Sequence, residues 1–311
     1  MQILRSVSDA ASSPVALTIG NFDGVHRGHQ AMLARLRAAA HARGLPACVM
    51  TFEPHPREFF APDQAPVRLT SLRDKLELLA AEGVDRTWVL RFNFALAQIT
   101  AQDFITRILS RGLGVRWLQV GDDFRFGARR AGDLAMLRAQ ADRFGYEVEG
   151  MPTVESSGER VSSTAVREAL AAGLLARAAQ LLGRPFSIGG RVVAGDRLGR
   201  ELGFPTANVR ITQPRPPFTG IFAVELVRAS GLRLPGVASL GFRPTVKAQG
   251  AAPVLEVYIL DFNEQIYGER VRVDFLHKFR DEAKYVDLET LKAQIARDVA
   301  ETRAYFARRA A

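Results

Sequence analysis

Residues 20–29 read Gly-Asn-Phe-Asp-Gly-Val-His-Arg-Gly-His, directly after an apolar run and directly before an amphipathic one. That layout suits a polyphosphate. Backbone N–H groups at a helix start attract anions. Gly24 and Gly28 let backbone or ligand approach where a Cβ would interfere. His26 and His29 can donate hydrogen bonds to phosphate oxygens on which charge develops. The tetrapeptide His-Arg-Gly-His is a weak signal by itself, because two surface histidines at a helix start are the commoner origin of such a string. The elements on either side tip the balance towards a phosphate site. Three further segments follow strands in the first half: Thr51-Phe-Glu-Pro-His-Pro-Arg57, Val120-Gly-Asp-Asp-Phe-Arg-Phe-Gly127 and Val161-Ser-Ser-Thr-Ala-Val-Arg167. Ser162, Ser163 and Thr164 open an apolar helix, where one hydroxyl suffices as a cap. Three in a row, with Arg167 one turn on, can also hold phosphate, and arginine is suited to bidentate contacts.

A second constellation lies in the other half, in Gly190-Arg-Val-Val-Ala-Gly-Asp-Arg-Leu-Gly-Arg-Glu-Leu-Gly-Phe-Pro-Thr-Ala-Asn208. Gly195, Gly199 and Gly203 recur every fourth residue, as in a flexible loop whose amides could cradle phosphate. No Gly-Lys-Ser/Thr follows, so it is not a P-loop. Thr206 and Asn208 share one side of an extended segment, because side chains alternate along a strand. Two neutral oxygens so placed can complete the shell of a phosphate-bound Mg²⁺, although a plain turn of Gly, Pro and Asn accounts for the pentapeptide alone. Further on, Leu255-Glu-Val-Tyr-Ile-Leu-Asp-Phe262 sets one acid, Glu256, in an apolar β pattern. A carboxylate there is expensive unless paired or used. As a general base it could take a proton from a substrate hydroxyl.

These residues need elements to hold them. Strands are expected at Val15–Gly20, Ala47–Phe52, Arg86–Phe92, Val115–Val120 and Tyr146–Met151, with helices at Gly28–Arg43, Leu72–Glu82, Ala101–Ser110, Leu134–Arg143 and Ser163–Ala172. Short apolar strands alternating with helices argue for a doubly wound, Rossmann-like parallel α/β sheet, which binds ligands beyond the carboxyl ends of its strands. From Ser187 the pattern changes to successive strands at Ile188–Ala194, Ile221–Val227, Gly236–Leu240, Val254–Leu260 and Glu269–Phe275. A final helix over Leu288–Arg303 carries Leu288, Leu291, Ile295 and Val299 on one stripe. This predicts a small antiparallel β-barrel domain with a C-terminal helix. The domain division is placed at residues 1–184 and 185–311.

Composition sets broad limits. The 311 residues are 47% hydrophobic and 24% charged, ordinary for a globular chain of two domains. No stretch approaches the ~20 apolar residues of a membrane span, and the first residues lack the apolar core of a signal peptide. The single Cys48 excludes an intramolecular disulfide and fits a reducing cytoplasm. The net charge of +9 raises the question of nucleic acid. The cations are almost all arginine, spread along helices without interleaved aromatics, so a field that draws in anionic small molecules is explanation enough. The number of chains in the assembly is left open.

Gly20-Asn-Phe-Asp-Gly-Val-His-Arg-Gly-His29 with Val161-Ser-Ser-Thr-Ala-Val-Arg167 resembles the H-x-G-H nucleotidyltransferases. With Val-Gly-Asp-Asp-Phe-Arg-Phe-Gly it resembles, more narrowly, the FMN adenylyltransferase module of bacterial bifunctional riboflavin kinase/FAD synthetases. The second half resembles riboflavin kinases through the glycine loop, Gly203-Phe-Pro-Thr-Ala-Asn208, Gly220-Ile-Phe-Ala-Val224, Gly236-Val-Ala-Ser-Leu-Gly-Phe-Arg-Pro-Thr245, Leu255–Phe262 and Arg280-Asp-Glu. The resemblance implies that riboflavin and ATP give FMN, and that FMN and ATP then give FAD and pyrophosphate. It implies a six-stranded barrel, ATP with Mg²⁺ as the metal, and no membrane or nucleic-acid partner.

Carried over, His26, His29 and Arg167 are catalytic, with the histidines on the ATP phosphates. Ser163 and Thr164 join Arg167 on the triphosphate tail. Gly20, Phe22, Asp23, Gly24, Gly28, Asp123 and Phe124 line the nucleotide and flavin sites. Gly195, Gly199, Arg200, Gly203 and Pro205 form the kinase loop, Thr206 and Asn208 bind the metal, Glu256 is the base and Arg280 orders a flavin-side loop. The sequence departs from the family where a histidine and an Arg-Gly pair are usual, carrying Ala194 and Leu198-Gly199 instead. Other H-x-G-H transferases, for pantetheine phosphate or nicotinate mononucleotide, would leave the second half unexplained. A class I aminoacyl-tRNA synthetase would need a Lys-Met-Ser-Lys-Ser-type loop, which is absent. A flavin-storage protein would have lost motif residues that are present.

Overall fold

Strands β2 (Val15–Ile19), β3 (Ala47–Glu53), β4 (Arg86–Arg91) and β5 (Val115–Gly121) are apolar on both faces, and both faces are covered. Along β2, Val15, Leu17 and Ile19 enter one core and Ala16 the other; along β3, Cys48 and Met50 oppose Val49. The computed structural model describes residues 1–8, 10–11, 13–156, 158–195, 198–242 and 253–310. They form two compact units, residues 1–66 with 75–162 and residues 67–74 with 163–311.

In the first unit β1 (Gln2–Leu4) and β6 (Glu147–Met151) complete a parallel six-stranded sheet of order β1-β4-β3-β2-β5-β6. The chain winds outward from β2 through β3 and β4, then returns to lay β5 on the other side of β2. The winding therefore reverses between β2 and β5, and open α/β sheets bind ligands beyond the carboxyl ends of the strands at such a reversal. Helix α1 (Arg27–Ala42) packs Leu33, Leu36, Ala39 and Ala40 against the sheet at helical spacing. The short α2 (Pro56–Phe60), then α3 (Leu72–Ala81), α4 (Phe94–Ala97), α5 (Ala101–Asp103) and α6 (Leu134–Phe144) follow in order. Residues Phe104–Gly112 continue α5 with π-helical bonding, where the sequence predicts an α-helix. Strands β7 (Glu155–Ser156) and β8 (Glu159–Arg160) form a small hairpin. Burial pushes the Cys48 thiol up to about 12, which makes it an inert core residue.

The second unit holds α7 (Ser163–Ala171), α8 (Leu175–Leu182) and a closed antiparallel barrel. Its strands are β9 (Phe186–Val193), β10 (Thr206–Arg210), β11 (Gly220–Arg228), β12 (Arg233–Phe242), β13 (Pro253–Ile259) and β14 (Arg270–Arg280). The one-turn α9 (Leu198–Glu201) precedes β10, and α10 (Leu288–Ala310) lies over β11 and β12. Phe186, Phe218, Phe222 and Phe275 pack together with ring centroids 4.8–6.1 Å apart and fill one region of the barrel core. The extended segment at 206–210 is thus a full barrel strand, and the final helix runs seven residues beyond the expected Arg303. No helix among the described residues is long and apolar enough to cross a membrane.

Candidate functional sites

Between β2 and α1 the chain makes a turn that ordinary residues resist. Phe22, Gly24 and Val25 have φ of 49°, 84° and 40°, a left-handed conformation that is costly for phenylalanine and more so for β-branched valine. The surroundings hold it in place. Phe22 and Val25 are buried in the core beside α1. Thr51 Oγ1 donates to Asn21 O at 3.3 Å, and Gln30 Nε2 donates to Val25 O at 2.9 Å.

His26 then caps α1. Its Nδ1 accepts the His29 N–H at 3.3 Å, which places the ring proton on Nε2, where it can be donated. The His26 and His29 rings stack with centroids 3.7 Å apart, and the His29 ring leans on Phe22 at 4.9 Å. The glycines here serve packing inside the protein. A Cβ on Gly28 would stand 3.2 Å from the His26 ring and 3.4 Å from Val161 O, and one on Gly20 would stand 3.1 Å from the Phe22 ring. Gly28 thus lets the His26 ring and the Val161 backbone come close. Asp23 is buried within the same turn.

The other segments of the first unit reach the same carboxyl edge because their strands run parallel. Asp123, beyond β5, is exposed and pairs with Arg160 at 2.8 Å. Phe124 is half-buried and stacks 5.7 Å from Phe126. His55 caps α2 by accepting the Arg57 N–H, and Glu58 accepts the His55 N–H. The sequence reading missed an aromatic group at this edge. Phe52, Phe59, Phe60 and Phe92 have centroids 5.3–5.9 Å apart, and Phe60 is two-thirds exposed at 67%. The signal was present as Arg-Glu-Phe-Phe and Arg-Phe-Asn-Phe, two aromatic doublets just past strand ends.

Ser163, Thr164 and Arg167 lie on the first two turns of α7, in the second unit. Thr164 is exposed, and Ser163 and Arg167 are half-buried. Arg167 Nε donates to Val67 O at 2.6 Å, which anchors the base of its guanidinium.

In the barrel, strand register sets the geometry. Asn208 on β10 is directly opposite Glu256 on β13, and Glu256 is directly opposite Ser239 on β12. Paired residues point to the same face. Ala207, Val209, Ala238, Leu240, Leu255 and Val257 are buried inside, so Asn208, Glu256 and Ser239 form a row on the outer face. Glu256 is therefore not enclosed by the apolar side chains that surround it in sequence, and the expected burial cost does not arise. Thr206, two residues from Asn208, lies on the same face opposite Tyr258.

The glycine loop closes onto this row. A Cβ on Gly195 would collide with the Asn208 amide, and one on Gly199 would stand 2.6 Å from Phe204 O and 3.4 Å from Thr206 Oγ1. Gly203 has φ of 87°, and its N–H bonds Arg200 O at 3.1 Å, ending α9. Part of the supposed flexible loop is therefore helical. Pro205, which lacks an N–H, stands just before β10, where the ladder does not need one. Asp196 and Arg197 lie outside the described residues, and so do residues 243–245 of the Gly236–Thr245 motif.

Arg280 faces the C-terminal helix. Its Nε and Nη2 donate to the two oxygens of Asp298 at 2.9 and 2.6 Å, and its Nη1 donates to Asp281 O at 3.0 Å. Gln294 also donates to the buried Asp298 carboxylate at 2.9 Å. The guanidinium is thus held by protein and fixes the start of the loop after β14. Asp298→Ala would strand this arginine, so we expect a stability loss of about 3 kcal/mol, the lower end for one broken buried pair. A urea titration of the barrel transition would register it as a lowered midpoint at unchanged slope.

Among the described residues no three His, Cys, Asp or Glu side chains are grouped to hold a metal ion. A divalent ion would instead meet the neutral oxygens of Thr206 and Asn208, against which Gly199 and Gly195 pack. That donor set fits a hard cation which keeps its waters and phosphate ligands.

A histidine pair beyond a strand end of a parallel sheet, and an outer-face carboxylate beside a glycine loop on a closed barrel, are arrangements suited to a two-site phosphate-transfer enzyme. Comparison with known proteins gives its family. The FAD synthetase family model matches residues 8–165, and the riboflavin kinase family model matches residues 182–306. The chain is 48% identical over 309 residues to the bifunctional riboflavin kinase/FMN adenylyltransferase of Escherichia coli K12, covering 98% of both. It is 52% identical over 287 residues to that of Pseudomonas fluorescens, covering 92% of this chain and 91% of the relative. A solved structure from Streptococcus pneumoniae, described as a macrolide-efflux protein, shares the fold with a TM-score of 0.82 and 30% identity, covering 97% of this chain and 99% of that one. The chain belongs to the bifunctional riboflavin kinase/FMN adenylyltransferase family.

Proposed function

We propose a division of labour for the two activities of this enzyme, which converts riboflavin to FMN and FMN to FAD, each with ATP. Residues 1–184 carry adenylyl transfer and residues 185–311 carry the kinase. The observation that supports this most is that each half has its own polar site. The stacked His26–His29 pair stands at the α1 start, and the Asn208–Glu256–Ser239 row stands on the barrel.

In the kinase, the Glu256 carboxylate takes the proton of the ribityl 5′-hydroxyl as that oxygen attacks the γ-phosphorus and the bond to ADP breaks. Thr206 and Asn208 hold Mg²⁺, which when bound neutralises phosphate charge. Gly195, Gly199, Arg200, Gly203 and Pro205 shape the loop over the nucleotide.

In adenylyl transfer, an FMN phosphate oxygen attacks the α-phosphorus of ATP and pyrophosphate leaves. No activated side chain is required, because the phosphate is already a nucleophile. Positioning and charge stabilisation supply the rate. His26 and His29 donate to the phosphates, and the α1 N–H groups add positive potential. Ser163, Thr164 and Arg167 hold the triphosphate tail. Gly20, Phe22, Asp23, Gly24 and Gly28 build the turn, while Asp123 and Phe124 border the site. The Phe59, Phe60 and Phe92 rings offer apolar surface to the flavin ring. Use of ATP and one buried, unreactive cysteine agree with a cytoplasmic enzyme.

The test is a time course with riboflavin, ATP and Mg²⁺, with the flavins separated by chromatography. We expect FMN to appear before FAD. With excess chelator neither should form, and added Mg²⁺ should restore both. FMN formation that persists in chelator would remove the metal role of Thr206 and Asn208.

A further inference from the structure

The loop after β14 brings a second carboxylate to the outer face of the barrel. Ser239 Oγ donates to Glu282 Oε1 at 3.3 Å, across 43 residues of sequence. The Glu282 carboxylate lies flat on the backbone at Gly241, where any Cβ would collide with it. Gly241 and Ser239 share the outer face, two residues apart on β12, so Glu282 covers that face beside the row containing Glu256. Partial burial raises the Glu282 carboxyl above its ordinary range, against the lowering effects of the Ser239 bond and the Arg280 charge. The Glu282 side chain is exposed, yet its carboxylate is placed by the Ser239 hydroxyl and by the bare glycine beneath it, and nothing in the phosphate chemistry has used it.

The consequence for Glu256 follows from the direction of one proton. Ser239 spends its hydroxyl hydrogen on Glu282, so its lone pairs remain to face its cross-strand neighbour. Side chains opposite each other in an antiparallel pair have Cβ atoms about 5 Å apart, within hydrogen-bonding reach for serine and glutamate. An oxygen that can only accept favours the state in which Glu256 carries the proton taken from the substrate.

We propose that Ser239 and Glu282 are positioning residues for the kinase step: Glu282, seated on Gly241, turns the Ser239 hydroxyl so that it accepts from Glu256 once that carboxyl has received the substrate proton. This rests on Glu256 being the base. The hydrogen bond strengthens as the proton arrives, so it acts on the transition state and lowers kcat when lost, with KM for riboflavin and ATP unchanged.

The test uses the full chain and reads both activities. Ser239→Ala and Glu282→Ala should each lower kinase kcat roughly tenfold, the scale of losing an orienting partner. KM values should stay within about twofold and FAD formation from supplied FMN should be unchanged, which reports an intact fold. Ser239→Thr, which keeps the hydroxyl, should restore most of the rate. The double variant should be no slower than either single, as expected of groups acting as a unit. In a Glu256→Gln background neither change should lower the residual rate further. Unchanged kcat in Glu282→Ala, or a loss that persists in the Glu256→Gln background, overturns the proposal. Full kinase activity in Glu256→Gln alone would instead overturn the assignment of the base, so the two failures are distinguishable.

Discussion

Glu256→Gln is expected to lower FMN formation by about 10²–10⁴-fold, the range for removing a general base, while FAD is still made when FMN is supplied. The amide keeps the shape of the carboxylate and its place on the outer face opposite Asn208 and Ser239. It cannot take the proton. Binding should survive, so the loss should appear in kcat with little change in KM. Stability should hardly move, because Glu256 is half-buried and the amide of Gln keeps its shape and hydrogen-bonding capacity. The measurement is riboflavin consumption against FAD production from FMN in one preparation. If riboflavin were consumed at the parent rate, the 5′-hydroxyl would need no carboxylate. If both reactions failed in a folded protein, the sites would not be separate.

Much of this was legible in the sequence because burial leaves a pattern. Strands covered on both faces read as mostly apolar runs, and β2, β3, β4 and β5 were found within a residue or two. Their parallel pairing then places the segments after β2, β3 and β5 at one edge without any contact being known. β1 was invisible, since three residues pairing with β4 alone carry no periodicity. β14 runs past the expected Phe275 to Arg280, because β11 supplies its partners across two irregularities in register. The apolar spacing of Phe104, Ile105, Ile108 and Leu109 indicated a helix there but could not separate α from π bonding, as both bury the same side. The alternation around Glu256 revealed two faces and left open which one was inside. Ser239 and Glu282 were beyond reach for a different reason. Their bond joins residues 43 apart and depends on a glycine seat that only three-dimensional packing creates.

The second large effect is expected at the other site. His29→Ala should lower adenylyl transfer by about 10²–10³-fold, as for loss of one preorganised donor to developing negative charge, and the enzyme should then stop at FMN. The ring is held rather than free to search: it stacks 3.7 Å from His26 and leans on Phe22, whose backbone is itself constrained at φ of 49°. That rigidity is what makes the donor effective, because no reorganisation is needed when charge shifts towards the leaving pyrophosphate. His29→Asn should recover part of the rate, since an amide N–H can donate from a similar place without the stacking. The His26 cap on α1 uses the backbone N–H of residue 29, so either variant should keep the helix start. Chromatography of a riboflavin reaction gives the answer directly. FMN accumulating at the parent rate, with FAD absent, is the expected result. FAD forming at the parent rate would mean that the His29 ring is not a donor to the phosphates.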